Sequence, residues 1–195
     1  MGSRKQKFSK KKFKLLEVAS GLILKKGFAA TSMNDIATQM GFNKAALYYY
    51  CRSKEDIALE ILKLIHARVE TIFSEAEGTC GSGLEMLRYF FHNYVQLMTT
   101  PMGAAAVQLA SLRYSEVLEK RSTELFKAVD NRVKGYIIEG QADGTIAKLN
   151  VRWSDFVLFG ALHSIPRWYS DQGDLTPEQI AEVLFETLLN GLSPR

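Results

Sequence analysis

Residues 31–55 read TSMNDIATQMGFNKAALYYYCRSKE, and this stretch decides the fold of the N-terminal part of the chain. Apolar residues recur at helical spacing over 33–40 and again over 44–50, with a glycine between the two segments. Gly41 can adopt the positive φ of a tight turn, and Leu47 is placed to face back into a small core. The pattern predicts two short helices joined as a helix-turn-helix. Their expected N-caps are Ser32 and Asn43.

The second of these helices carries positive charge, hydroxyl groups and aromatic rings together. If it enters the major groove of DNA, Lys44 can donate to guanine and Ala45 allows close approach to thymine methyl groups. Tyrosine hydroxyls can donate to phosphate oxygens, and because successive residues point about 100° apart we expect Tyr49 to lie closest to the bases. Residues beside helix N-termini, Thr31 and Lys54, are predicted to meet phosphates. The predicted DNA-binding residues are Thr31, Asn43, Lys44, Ala45, Tyr48, Tyr49, Tyr50 and Lys54.

Charge is divided unevenly along the chain of 195 residues, whose net charge is +4. Residues 1–54 carry twelve Lys or Arg and two acidic residues, a net of +10, whereas residues 55–195 carry thirteen and nineteen, a net of −6. Such asymmetry indicates that one part of the chain meets a polyanion. The basic tail before the first helix can reach phosphates or the minor groove, or it can be a disordered solubilising tail, and the sequence leaves both open.

The remainder of the chain also has helical periodicity, with only four prolines and no convincing strand-turn-strand pattern. We therefore expect an all-α protein, with a three-helix helix-turn-helix domain and basic tail over 1–54 and a larger helical domain over 55–195. The glycine-rich segment 78–83 is predicted to be a loop. Helices are predicted at about 9–26, 33–40, 44–50, 53–76, 84–98, 102–114, 115–139, 151–169 and 177–190.

Residue types that carry catalytic chemistry are sparse. Cys51 and Cys80 make neither a metal nor a disulfide framework, and they suit a reducing compartment. The three histidines lie far apart, and we find no catalytic spacing, phosphate loop or metal motif, so we expect no enzyme, no cofactor and no metal. The basic N-terminus lacks the apolar core of a signal peptide, and no apolar run is long enough to span a membrane. The sequence predicts a cytoplasmic protein.

Residues 31–55 resemble the DNA-binding signature of the TetR family of transcriptional repressors. The matching features are the Thr-Ser start, Asp35-Ile36-Ala37, Gly41, Leu47-Tyr48 and Ser53-Lys54-Glu55. The resemblance implies a homodimer that binds operator DNA, blocks transcription and is released by a small ligand. It assigns ligand binding and dimerisation to residues 55–195. The family usually has Phe or Tyr where this chain has Cys51, which we expect to be a small buried hydrophobic residue rather than a redox switch.

The acidic C-terminal part is rich in aromatic residues, and we expect most of them in the core. A minority can line a cavity between helices, the usual place for a ligand in a bundle. Polar residues on apolar faces are better indicators of such a site, although a histidine there is more often a satisfied core group, and an arginine can be solvated instead of binding an anion. The candidate effector-binding residues are Arg88, Phe91, His92, Arg113, Phe159, His163, Arg167 and Trp168.

The segment that begins at Gly160, GALHSIPRWYSDQGDLTPEQIAEVL, resembles the end of family members that regulate fatty-acid, steroid or other acyl-CoA metabolism. The likeness lies in Arg167-Trp168-Tyr169 and in the Thr-Pro-Glu-Gln start of the last helix, and it implies an acyl-CoA or related lipid-like acid as effector. The family resemblance also implies that the last two helices form the dimer contact. The apolar residues expected there are Leu158, Leu162, Ile165, Val183, Leu184, Leu188 and Leu189.

Other interpretations stay open at this stage. The basic head can bind DNA without sequence preference, or bind a membrane surface, and sequence-dependent binding would separate a regulator from both. An activator of the same fold is compatible with the same residues. The expected partners are double-stranded operator DNA, a small-molecule effector and a second copy of the chain, with no membrane.

Overall fold

A computed structural model describes residues 2–111 and 114–191, except for the side chains of residues 2–5. Within those residues the chain forms nine α-helices and no strand, which confirms the predicted all-α class. The helices are α1 Gly2–Lys26, α2 Met33–Gln39, α3 Lys44–Tyr50, α4 Lys54–Thr79, α5 Gly83–Met98, α6 Pro101–Ala110, α7 Glu116–Asp143, α8 Val151–Trp168 and α9 Pro177–Asn190.

The chain divides into two compact units. Unit one comprises Met1–Ile65 and Pro101–Thr123, and unit two comprises His66–Thr100 and Glu124–Arg195. α4 and α7 therefore contribute residues to both units. The domain boundary expected at residues 54 and 55 stays a prediction, because a unit defined by contacts need not coincide with a functional domain.

Unit one is organised around an aliphatic core contributed by its first four helices. α1 packs against α2 and α6, and α2 packs against α3. Each fully buried aliphatic side chain contributes about 1.5–3 kcal/mol relative to exposure, so these contacts hold the short helices α2 and α3, which would not persist alone. The fully buried residues include Leu15, Leu16, Ala19, Ile23, Ile36, Leu47, Ile57 and Ile61.

The turn and the caps follow the sequence prediction. Gly41 has φ +65°, the left-handed conformation that favours glycine. Ser32 forms a capping box with Asp35 at the start of α2, and Asn43 Oδ1 accepts from the backbone N–H of α3 at 2.8 Å. Thr176 forms a second capping box at the start of α9. These helix starts are confirmed, because each rests on side chains within a few residues of the terminus it caps.

α1 begins much earlier than the sequence predicted. The expected start was at about residue 9, whereas the helix runs from Gly2. Lysine and arginine are good helix formers, and the segment is tied to α4 because Lys12 Nζ lies 2.7 Å from Glu60 Oε2. The hydrogen bond from Lys12 lowers the pKa of Glu60.

The predicted glycine-rich loop is shorter than expected, because α4 continues to Thr79 and α5 begins at Gly83. Gly83 is buried, and a Cβ at this position would lie 2.1 Å from the backbone nitrogen of Gly140 in α7. The backbone N–H of Gly83 donates to Asp143 Oδ2 at 2.8 Å. Glycine is needed at this position because two helices approach closely, whereas the sequence pattern predicts a loop there.

The aliphatic residues of α8 expected at a dimer contact lie inside unit two instead. Leu158 is 5 % exposed, and Leu162 and Ile165 are fully buried, so the expectation for these three is corrected. The face of α8 that carries these three residues packs in the core of unit two, and other apolar residues lie on the exposed face of the helix. The exposed apolar residues of α8 are Trp153, Phe156, Val157 and Trp168.

Candidate nucleic-acid interface and effector region

α3 presents a polar face to solvent and one leucine to the core. Leu47 is fully buried, while Asn43, Lys44 and Ala45 are exposed. Because Asn43 Oδ1 is the capping acceptor for Ala46 N, its amide nitrogen is the group it can offer to a base. The N-terminal end of α3 therefore carries an ammonium group, an amide donor and a small apolar residue on one accessible surface.

The three tyrosines of α3 lie in three different environments. Tyr48 is 43 % exposed and Tyr49 is 67 % exposed. Tyr50 is half-buried and stacks on Phe42, with ring centroids 5.8 Å apart, and on Phe8 of α1, at 4.9 Å. Tyr49 meets Phe8 edge-on at 5.4 Å. No local pattern in the sequence predicts this packing of Phe8, because its partners lie about forty residues away in the chain.

The two residues predicted to meet phosphates beside helix N-termini have other partners. Thr31 is 1 % exposed, and its Oγ1 donates to the carbonyl of Gly27 at 2.8 Å. Lys54 Nζ donates to the carbonyls of Phe28 and Ala29, at 2.6 and 3.0 Å, and lies 4.6 Å from the centre of the Phe28 ring. Burial and the charge of Lys26 lower the pKa of Lys54. In this conformation both side chains hold unit one together, and a phosphate contact would require them to reorient.

Cys51 follows α3 and is 1 % exposed. Burial raises the pKa of its thiol to about 11, so the protonated thiol is the form present at neutral pH. The expectation of a small buried hydrophobic residue is confirmed by this burial.

The effector candidates fall into separate groups in unit two, the first of which surrounds Phe185 of α9. Arg88 lies over the Phe185 ring at 4.5 Å and its Nη2 is 2.8 Å from Glu186 Oε1. Phe91 is fully buried and packs against Phe185 at 5.3 Å. His92 Nε2 lies 3.3 Å from Glu182 Oε2, and burial lowers the pKa of this histidine. The guanidinium group of Arg88 therefore already forms an ion pair with the carboxylate of Glu186.

The second group surrounds His163 on α8. The hydroxyl of buried Tyr94 lies 3.1 Å from His163 Nε2, and the rings of Phe159 and Phe126 lie 5.2 and 5.6 Å from the imidazole. Burial lowers the pKa of His163 to about 4 and raises that of Tyr94, so both are neutral at physiological pH. A neutral, polar pair enclosed by aromatic rings can orient a hydroxyl or carbonyl group within an apolar region.

Acidic residues accompany this group. Asp155 is fully buried, and burial together with the neighbouring carboxyl group of Asp130 raises its pKa to about 7. Lys134 Nζ lies 2.5 Å from Asp130 Oδ2 and 3.5 Å from Asp155 Oδ2. Sequence reasoning missed Asp155, which lies on the same helical stripe as Leu158 and the other buried residues of α8.

The remaining candidates lie apart from both groups. Arg167 is exposed, and Trp168 is 50 % exposed with its Nε1 donating to Ser164 Oγ at 3.1 Å. Arg113 lies outside the described residues. Within the part of the chain that the structure describes, no group of three or more His, Cys, Asp or Glu residues could hold a metal ion. In the same part of the chain, none of the helices combines the length and apolarity that crossing a membrane demands.

Two short capped helices, a positive-φ glycine turn and an accessible basic face on the second helix define a helix-turn-helix protein of the DNA-binding class. Comparison with known protein families identifies the family to which this chain belongs. The family described as bacterial regulatory proteins, tetR family, matches residues 15–61, and the tetracyclin repressor-like C-terminal domain matches residues 80–192. The chain belongs to the TetR family of transcriptional regulators, which are not enzymes. The family resemblance read from the sequence is confirmed.

Individual relatives are similar over nearly the whole chain. The fatty acid metabolism regulator protein of Bacillus subtilis is 24% identical over 185 residues, covering 93% of this chain and 95% of the relative. The transcriptional repressor KstR2 of Mycolicibacterium smegmatis is 26% identical, covering 92% and 89%. The crystal structure of AibR in complex with isovaleryl coenzyme A and operator DNA matches with a TM-score of 0.80 at 22% identity, covering 92% and 98%. That last likeness shows the shared fold.

Proposed function

We propose that this protein is a ligand-responsive repressor that binds a palindromic operator as a homodimer and is released by a small lipid-like acid, with acyl-CoA thioesters as the leading class. The observation that supports DNA recognition best is α3, where Lys44, Ala45, Tyr48 and Tyr49 are accessible around a buried Leu47. Membership of a family of bacterial regulatory proteins supports action in the cytoplasm, where the DNA is.

The DNA-binding proposal is tested by selecting genomic fragments on the purified protein and measuring affinity by fluorescence anisotropy. We expect a palindromic site with half-sites about 34–36 Å apart, or a multiple of that spacing. Tyr48→Phe should weaken binding, because it removes a hydroxyl donor and keeps the ring. Tyr114→Phe is the matched control, since Tyr114 is a similarly exposed tyrosine of unit one outside α3. Enrichment of no sequence would favour the rival proposal of a non-specific DNA- or membrane-binding module.

The homodimer proposal rests on apolar surface that the protomer leaves uncovered. Trp153, Phe156 and Val157 of α8 are 60, 49 and 58 % exposed, and Val183 of α9 is 55 % exposed. Arg152 lies over the rings of Trp153 and Phe156, at 5.6 and 5.4 Å. Exposed aromatic and aliphatic residues that neighbour each other on one helix, as Trp153, Phe156 and Val157 do, with an arginine beside them, are typical of protein interfaces.

Light scattering on size-exclusion chromatography tests this surface. Val157→Glu places a charge in the proposed interface and should give a monomer that binds the palindrome poorly. Val117→Glu is the matched control, because Val117 is 61 % exposed on α7 and lies outside the proposed interface. A dimer that survives Val157→Glu would place the interface elsewhere.

The effector proposal centres on the group around His163. Its neutral Tyr94–His163 pair lies among Phe126 and Phe159, which suits an apolar ligand with a polar head. An acyl-CoA is favoured by two of the similar proteins, a fatty acid metabolism regulator and AibR, whose structure holds isovaleryl coenzyme A. Arg88 is a weaker partner for an anionic head group, because Glu186 already pairs with it at 2.8 Å.

Isothermal titration with acyl-CoAs of several chain lengths, followed by DNA release, tests this choice. His163→Leu should abolish the heat of binding, whereas His92→Leu, in the group around Phe185, should retain it. Loss in the second variant alone would move the site to α9. Absence of heat and of any effect on DNA would discard acyl-CoAs while leaving the regulator. A reporter gene whose expression falls on deletion of the regulator would favour the activator reading.

A further inference from the structure

The first turns of α1 are held at two points that lie one helical turn apart. Phe8 stacks on Tyr50 at 4.9 Å with an interplanar angle of 26°, and it meets Tyr49 edge-on at 5.4 Å. Lys12 Nζ lies 2.7 Å from Glu60 Oε2 of α4. Because residues i and i+4 share one face of a helix, this face of α1 is docked on α3 and α4. Chain ends are ordinarily poorly ordered unless contacts of this kind tie them down.

Beside the docked face, α1 carries four exposed lysines, which we call the basic flank. They are Lys7, Lys10, Lys11 and Lys14. At about 100° per residue they fall within an arc of about 100° on one side of the helix. Lys7 with Lys11 is a like-charge pair at i, i+4, which destabilises a helix, and Lys10 faces Lys14 at the same spacing, where Lys14 Nζ also lies 3.1 Å from Glu17 Oε2. A polyanion that neutralises the flank removes this repulsion.

We propose that Phe8 is a positioning residue for DNA recognition, which docks α1 on α3 so that the basic flank contacts backbone phosphates of the duplex beside each half-site. The inference rests on the proposed operator binding and adds a second contact element to it. Phe8 touches Tyr49 and Tyr50 of the recognition helix, so the same ring that fixes the flank also limits the rotamers of those two tyrosines. The basic flank contributes affinity and fixes the register of the protein on the duplex. It does not contribute sequence specificity, because phosphate contacts carry no information about the bases.

A freely moving tail and a docked helix predict different salt dependence. Each phosphate neutralised steepens the slope of log affinity against log salt by about 0.9. Phe8→Ala removes no charge, so a mobile tail would keep the wild-type slope. The docked helix predicts that Phe8→Ala makes the slope shallower by about 2 or more, and weakens binding at least about tenfold near physiological salt.

The experiment measures affinity of the full-length protein for its selected fragment by anisotropy, between about 50 and 200 mM salt. Phe13→Ala is the matched control, since Phe13 is 46 % exposed on the same helix and points about 140° away from Phe8 at helical geometry. Phe8→Tyr retains the stacking ring and should bind like wild type. Circular dichroism confirms that each variant is folded.

A double-mutant cycle shows whether Phe8 acts through the flank. Lys7→Ala combined with Lys11→Ala should make the slope of log affinity against log salt shallower by about 2 in the otherwise wild-type protein. The same two substitutions should have little further effect on the slope in the Phe8→Ala background. Additive effects, or a Phe8→Ala slope equal to that of wild type, overturn the inference while operator binding stands. If the wild-type protein binds no DNA fragment, the proposed function fails and this inference fails with it.

Discussion

Asp155 and His163 give the stability of this protein two opposite dependences on pH. The pKa of Asp155 is raised from 3.8 to about 7 by burial and by the neighbouring carboxyl group of Asp130. Between these values the folded state holds a proton that the unfolded state has released. Stability therefore falls as pH rises through this window, by about 1.4 kcal/mol per pH unit and by about 4 kcal/mol in all.

His163 acts in the other direction. Burial lowers its pKa from 6.5 to about 4, so in this window the unfolded state binds a proton that the folded state does not. Stability falls as pH drops from 6.5 towards 4, by about 3 kcal/mol in all. The two contributions nearly cancel in the wild-type protein between about pH 4 and 6.5.

Replacing Asp155 and subtracting the stability of the wild type isolates the contribution of this carboxyl group, because the contribution of His163 is common to both proteins. For Asp155→Asn, the free energy of unfolding minus that of the wild type should rise by about 4 kcal/mol from pH 4 to pH 8. Urea denaturation followed by circular dichroism, at one protomer concentration throughout, measures this difference. Asp174→Asn is the control, because Asp174 is exposed on the segment before α9. A difference that stays constant with pH for Asp155→Asn would refute the assignment of a proton to this carboxyl group.

Three further predictions concern unit one. Leu47→Ala should lower stability by about 2–5 kcal/mol, since Leu47 is fully buried, and a melting temperature equal to that of wild type would contradict its place in the core. Asn43→Ala should cost about 1 kcal/mol through loss of the α3 cap, whereas Asn43→Ser should restore most of it in the same urea titration. Lys54→Met leaves the carbonyls of Phe28 and Ala29 without this donor and should cost about 1–3 kcal/mol; an unchanged urea midpoint would show that water replaces it.

Local signals in the sequence predicted the helix-turn-helix almost completely. Ser32, Asn43 and Gly41 each act on backbone within a few residues, so their type and spacing suffice. Contacts between distant segments were not predictable in this way. Phe8 looks like one more residue of a basic tail until the fold brings it to Tyr50, and Gly83 looks like a loop residue until α7 approaches it.

The effector region was predicted less well, for a related reason. Helical periodicity shows which residues share a face, but it does not show which face meets the core and which meets a partner. On α8 the stripe through Leu158 was assigned to a dimer contact, whereas these residues fill unit two and Val157 remains on the outer face. Asp155 belongs to the same stripe, and its burial was not predictable locally, because the residues beside it, Asp130 and Lys134, belong to α7 and are distant in the sequence.

The run of three tyrosines shows why a helix surface cannot be treated as one chemical site. Consecutive residues of a helix point about 100° apart, so each tyrosine has different neighbours and can have a different role. Tyr50 contacts both Phe42 and Phe8 and joins α3 to the first turns of α1. Tyr49 keeps one edge on Phe8 and the remainder in solvent, and Tyr48 is 43 % exposed. The rings that stabilise α3 and the hydroxyls that can meet DNA therefore belong to the same short segment. Because Phe8 contacts both Tyr49 and Tyr50, the docking of α1 also determines the positions of these two tyrosines on the recognition helix.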